Sequence, residues 1–340
     1  MKLFLILIFF SNLYKILIWI RNVLYNNKWA KTYSFDNPII SIGNLTAGGT
    51  GKTPLVIYLS QKIQKMGKNP GIISRGYGRT SKGKQVVHNG KELLLDVLNA
   101  GDEPFLIANT LENIPVVVSE NRIEGIKKLI DDFNVDIVIM DDGFQHRKVH
   151  RNFDIVTISG NDKKKNYWHL PFGKLREPLK NLDRADIVLI TKTENFKLSE
   201  LHLKILNDLS KKYYITSDII TLMKYDSKGY HKSIIPHEKL FAFCGIGEPS
   251  SFLKSVSNLD LKIAGKRIFK DHQKYNERIL NQLSLQIRSC DCKSIITTEK
   301  DLVKLSDSFL KNFNIYIIKI EIQLKDEKDF LTLVQNIVYN

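Results

Sequence analysis

Residues 38–59 read PIISIGNLTAGGTGKTPLVIYL, and their types and spacing suit one task, holding a nucleoside triphosphate. Apolar Ile39, Ile40, Ile42 and Leu45 lead into a turn carrying Gly48, Gly49 and Gly51, and Lys52, Thr53 and an apolar run from Pro54 follow. A strand, a glycine-rich turn and a helix in that order let backbone N–H groups close around phosphate oxygens at the positive end of the helix. On this pattern Thr46, Ala47, Gly48, Gly49, Thr50 and Gly51 form the cradle. Lys52 reaches the β- and γ-phosphates, and the Thr53 hydroxyl ligates Mg²⁺. Pro54 fits a first helical turn, where its missing N–H costs nothing. The usual spacing would put glycine at position 46; Thr46 stands there, which makes GGTGKT a variant of the phosphate-binding loop.

Asp141 and Asp142 close the apolar run VDIVIM of residues 135–140. A buried strand delivering two acids to the sheet edge that carries the phosphate loop is where Mg²⁺ is held, directly or through water; the plainer alternative is a polar cap on the strand. Four further groups are individually weak. In GDEP (101–104), Asp102 could be a general base, a metal partner or the cap of a helix begun at Pro104. In DHQKY (271–275), His272 reads as a helix-start residue more readily than as a catalytic one. PFGKLREP (171–178) brings Arg176 and Glu177, which could clamp phosphate and help a metal. TTEKD (297–301) ends a strand and starts a helix.

These residues need a scaffold that gathers strand ends, and the rest of the chain supplies one. Apolar runs at 70–74, 115–119, 135–140, 153–158 and 186–191 alternate with helical stretches, the pattern of a mostly parallel sheet with ligands at the strands' carboxyl ends. Residues 219–235 differ: two extended arms flank Asp226-Ser227-Lys228-Gly229, a hairpin signal. Alternation then resumes through 240–244, 261–269, 293–297 and 315–320 to a last helix. The expected fold is α/β, with a phosphate-loop domain over 31–218, a β-ribbon joint at 219–235 and a smaller α/β unit over 236–340.

Residues 3–20 (LFLILIFFSNLYKILIWI) are the most apolar stretch, interrupted by Ser11, Asn12 and Lys15. On a helix Ser11, Lys15, Asn22 and Asn26 share one stripe among large apolar residues. Residues 1–30 therefore read first as a helix lying in or dipping into a membrane leaflet, ahead of a true span and of a buried core helix. A secretory signal is not evident, and Arg21, Lys28 and Lys31 would sit among anionic headgroups on the cytoplasmic side. The 340 residues are 43% hydrophobic and 26% charged, the make-up of a globular protein rather than a disordered one. A net charge of +15 favours anionic partners, but the lysines are spread and no nucleic-acid signature is present; the one dense run, Lys163-Lys164-Lys165, falls in a loop. Cys244, Cys290 and Cys292 form neither a disulfide framework nor a metal spacing, which suits a reducing compartment. No obligate protein partner is evident.

Taken together, SIGNLTAGGTGKTP, RGYGR (75–79), GDEP, DDGFQH (141–146), PFGKLREP, DHQKY and TTEKD closely resemble the tetraacyldisaccharide 4′-kinase family of lipid A biosynthesis, in family order from the N-terminus to at least Asp301. The resemblance implies a membrane-associated kinase at the cytoplasmic face of the inner membrane. It would move the γ-phosphoryl of ATP, with Mg²⁺, to the 4′-hydroxyl of a tetraacyldisaccharide 1-phosphate lipid, giving lipid IVA. It also implies two α/β/α domains joined by a β-ribbon. By the same resemblance Asp102 is the base, His272 supports it across the interdomain cleft, and Lys52 acts on the moving phosphate. Asp141, Asp142, Glu177 and Thr53 would surround Mg²⁺, and Arg75 and Arg176 would approach phosphates. Two other classes stay open on residues alone: a nucleotide-hydrolysing switch or metallochaperone-type protein, to which GGTGKT and the loop Thr191-Lys192-Thr193-Glu194 also point, and a membrane-docking module with a vestigial nucleotide site.

Overall fold

The structure, a computed structural model, describes residues 2–209, 211–226 and 229–339, with side chains from residue 9 onward. Ser227 and Lys228, the centre of the expected hairpin turn, lie outside the described residues.

The short apolar runs form strands, those at 39–44, 70–74, 115–118, 137–141, 153–159 and 240–244 buried on both faces. They are β1 (Ile39–Asn44), β2 (Pro70–Ser74), β3 (Gln85–Asn89), β4 (Pro115–Val118), β5 (Ile137–Asp141), β6 (Phe153–Ser159) and β7 (Ile187–Thr193). There follow β8 (Lys212–Asp226), β9 (Gly229–Lys232), β10 (Leu240–Cys244), β11 (Ile263–Ile268), β12 (Ser294–Thr298) and β13 (Asn314–Leu324). All belong to one sheet in the order β11-β10-β12-β13-β8-β7-β6-β1-β5-β2-β4-β3, with β9 paired to β8. β3 is a strand the apolar pattern does not reveal: it is half-exposed and pairs antiparallel at the sheet edge.

Register explains how this sheet makes a cleft. The block from β7 to β4 is parallel, and β7 pairs with the start of β8, Ile187 opposite Lys212. The block β10, β11, β12 is parallel to β13 and joins it at Ser294 opposite Asn314. β8 and β13 run antiparallel, Tyr225 opposite Ile315 and Thr216 opposite Leu324. The two parallel blocks therefore flank opposite ends of one long ribbon, and their strands run toward its middle from both sides. Carboxyl ends, where parallel sheets place ligands, face each other there.

β13 also carries the chain back. The helix Glu327–Tyr339 that follows it buries Phe330, Val334 and Val338 in the same core as Leu55, Leu59 and Tyr214 of the first block. The helix Lys2–Asn26 stands on the outside of that block. Its Ser11 and Asn22 are buried, while Phe9, Leu13, Ile16, Leu17, Trp19 and Ile20 are exposed. Among the described residues no helix is long and apolar enough to cross a membrane.

Candidate active site

The helix Lys52–Lys65 begins directly after the glycine turn, with Pro54 in its first turn and Gly51 at φ +80° capping it. A side chain at Gly51 would be strained by that φ and would press on Thr191 at 3.2 Å. The cradle is braced from below: the Thr50 hydroxyl meets Asn44 Nδ2 at 2.9 Å and Thr157 Oγ1 at 2.8 Å. From the side, the Ala47 N–H donates to the Lys174 carbonyl at 2.7 Å, and Thr46 bridges Leu175. Lys192, at the exit of β7, donates to the Gly49 carbonyl and to Glu248, both at 2.6 Å.

Lys52 and Thr53 are buried in the first turn of the helix. Lys52 Nζ lies 3.4 Å from Asp142 Oδ1, and Arg176 Nη1 reaches Asp142 Oδ2 at 3.0 Å. Burial pushes the Asp142 carboxyl up, but these two cations outweigh it and hold it below the usual carboxylate range. Asp141 is placed oppositely. Burial, with Glu103 and Asp142 nearby, raises it to about 6 against the pull of Lys52 and a 2.7 Å hydrogen bond from Ser74. Its other oxygen, Oδ1, is buried without a hydrogen-bond partner.

Asp102 and His272, 170 residues apart, meet in space: His272 Nδ1 is 3.1 Å from Asp102 Oδ2. Asp102 opens the helix Asp102–Thr110, and His272 follows β11 with a left-handed φ of 55°. Lys304 adds a second cation at 3.5 Å from Asp102 and is itself held by the fully buried Asp301 at 3.0 Å. Burial raises the Asp102 carboxyl, but the His272 hydrogen bond and the Lys304 charge overcome this and leave it lowered. The Asp102 hydrogen bond in turn raises His272, against partial burial.

The cleft of about 510 Å³ between the blocks is lined by Gly48 to Pro54, Glu103, Lys192, Gly247, Glu248 and Lys300, and floored by the middle of the β8–β13 ribbon at Asp218, Ile219 and Ile318 to Leu324. Glu103 and Lys300 were not singled out by the sequence. They form a 2.5 Å pair across the cleft, and the Lys300 charge is what chiefly keeps Glu103 lowered. Their only sequence signal is adjacency: Glu103 follows Asp102, and Lys300 lies within TTEKD.

Two predicted residues, Arg75 and Glu177, make no direct hydrogen bond or ion pair with Lys52 or the paired acids among the described residues. Arg75 follows β2 as an exposed residue, and its charge bears on Arg122, beside Asp141 and Asp142, and on His146. Glu177 is fully buried, with one oxygen engaged by Arg21 and the other held by Asn181 and Arg184 at 2.6 and 2.5 Å. Arg176, its neighbour, is the link to Asp142.

A family model described as tetraacyldisaccharide-1-P 4′-kinase matches residues 3–339. A protein of Halothermothrix orenii called tetraacyldisaccharide 4′-kinase is 35% identical, over 97% of this chain and 91% of its own. One of that name from Desulfotalea psychrophila is 34% identical, over 95% and 94%. A crystal structure of LpxK from Aquifex aeolicus, described as in complex with ATP, superposes with a TM-score of 0.79 at 32% identity over 98% of both chains. A phosphate loop, paired acids and an Asp–His contact gathered by an α/β sheet, within a match of nearly full length, place this chain in the tetraacyldisaccharide 4′-kinase family.

Proposed function

We propose that this protein transfers the γ-phosphoryl group of ATP to the 4′-hydroxyl of a tetraacyldisaccharide 1-phosphate lipid at a membrane surface. The observation that carries the reading is the Asp102–His272 contact, made one residue from Glu103, which lines the same cleft as the phosphate loop. Phosphoryl transfer asks mainly for alignment and for charge placed where charge develops. The amides of residues 48–52 and the Lys52 ammonium grip the phosphates, with Lys52 released from Asp142 as the γ-phosphate arrives. Asp102, anionic through its lowered pKa, accepts the proton of the attacking hydroxyl late in the transfer. His272 and Lys304 hold that carboxylate in place.

The acids fit a divalent cation. Asp141 carries a buried, unpartnered oxygen and a raised pKa, the mark of negative charge in excess of its local cations. No cluster of three or more His, Cys, Asp or Glu forms a ready cage among the described residues. This agrees with Mg²⁺, which takes one or two carboxylates plus substrate phosphates. Thr53, Asp141 and Asp142 would hold it, Glu177 entering only by giving up a present partner. When bound it supplies positive charge at the β- and γ-phosphate oxygens.

The helix Lys2–Asn26 supports the membrane half of the reading. Its apolar residues face outward, Phe9 and Trp19 each 65% exposed, whereas Ser11 and Asn22 face the protein. That inversion suits a monotopic helix in the headgroup region of the inner membrane's cytoplasmic leaflet. We further take residues 31–218 and 236–340, joined at 219–235, to close on each other around ATP, with the helix Glu327–Tyr339 staying in the core of the first. The test is purified protein with γ-labelled ATP, Mg²⁺ and the acylated disaccharide phosphate. Label should enter lipid, and ATP should be consumed only when lipid is present. ATP consumption indifferent to the lipid would favour a nucleotide switch instead.

A further inference from the structure

The helix Lys2–Asn26 is wired to the phosphate site as well as exposed to its surroundings. The Tyr14 hydroxyl donates to the Arg176 carbonyl at 2.8 Å, and Arg21 pairs with Glu177. Further along, Arg147 holds the helix through the Asn22 carbonyl at 3.2 Å and Asn26 Oδ1 at 2.8 Å. The segment these residues grip is the one laced to the phosphate loop. The Arg176 N–H donates to the Leu45 carbonyl at 2.7 Å, Leu175 bridges Thr46, and the Lys174 carbonyl takes the Ala47 N–H. From that backbone the Arg176 guanidinium reaches Asp142, and Asp142 holds Lys52.

We propose that this helix is a positioning element for the phosphate site, with Tyr14 and Arg21 as positioning residues that set residues 174–177, and through them Arg176 and the start of the loop, when the helix is seated on a membrane. The inference rests on the kinase reading above. Arg176 is held from two sides, its carbonyl by the helix and its N–H by the loop, so a shift of the helix displaces the guanidinium between them. Misplacement of about 1 Å at such a group can cost about 100-fold in rate. An anchor would need no polar contact with this segment; the apolar face alone suffices to hold a bilayer. The arrangement makes the placement of Arg176 depend on the helix being seated on residues 174–177.

The test uses the full chain on vesicles containing the acylated disaccharide phosphate. Arg21→Gln leaves Arg184 and Asn181 on Glu177, so the buried carboxylate keeps partners and the variant should fold. It should bind vesicles as the unchanged protein does and show the same KM for lipid, yet lose about tenfold in kcat; Arg21→Lys should restore most of it. In the vesicle-bound state, amide exchange at Leu175 and Arg176 should be several-fold faster in Arg21→Gln. Tyr14→Phe, which removes one hydrogen bond and no charge, should shift both readouts in the same direction by a smaller factor, and serves if Arg21→Gln misfolds. Unchanged kcat and exchange in these variants, or a kcat that falls only in step with vesicle binding, would overturn the proposal and leave the helix an anchor. Absence of transfer by the unchanged protein would instead overturn the kinase reading, while the exchange comparison would still decide the positioning role.

Discussion

At the scale of single residues, the candidate site is marked by opposing charge shifts. Asp141 is pushed up and Asp142 held down although they are neighbours, because Lys52 and Arg176 reach only Asp142 within pairing distance. His272 is raised by its bond to Asp102, so folding gains from the proton it carries. That gain is fully present below the ordinary histidine value near 6.5 and is lost as pH rises through the raised value. The difference in Tm between the unchanged protein and His272→Gln should accordingly shrink from pH 6 to pH 9, as followed by calorimetry; a gap constant with pH would mean that the contact carries no charge. Lys52, Thr53 and the glycines could be read from spacing because a phosphate cradle needs them in a fixed local order. Asp102 and His272 could not be assigned that way. Each is a plausible helix-start residue where it stands, and only resemblance joined them, since 170 residues separate two side chains that meet in space.

At the scale of elements, the helix Lys2–Asn26 departs most from the behaviour of an ordinary surface helix, which hides its apolar stripe. Its polar stripe was visible in the sequence, but the packing divides it: Ser11 and Asn22 turn inward, and Lys15 and Asn26 remain exposed. Replacing Leu13, Ile16 and Leu17 together by serine should reduce partitioning onto anionic vesicles by tenfold or more, with little change in Tm, because those side chains contribute to no core. Equal partitioning in a sedimentation assay would move the membrane contact elsewhere. β3 escaped the sequence reading for the opposite reason: an antiparallel edge strand reading QVVHN has too few apolar residues to announce itself. β8 was longer than its hairpin signal because its first residues pair with β7.

At the scale of the molecule, the antiparallel β8–β13 ribbon decides function, since it turns two parallel blocks so that their carboxyl ends share one cleft. Alternating strands predicted the blocks; nothing local in residues 212–226 or 314–324 predicts that one sheet would run through both. The return of the helix Glu327–Tyr339 onto the phosphate-loop helix was equally invisible, because its apolar spacing fits any core. Phe330 is fully buried there beside Tyr214, and Phe330→Ala should cost about 3–5 kcal/mol by denaturant unfolding; a loss under 1 kcal/mol would show that this helix does not fasten the fold. We propose that closing the cleft brings Asp102 to the acceptor hydroxyl above a triphosphate held by the loop. This is tested most directly by single-turnover transfer from γ-labelled ATP in Asp102→Asn at saturating nucleotide. ATP affinity should stay within about twofold of the unchanged protein while transfer slows by about 10²–10⁴; transfer at the unchanged rate would rule out Asp102 as the base.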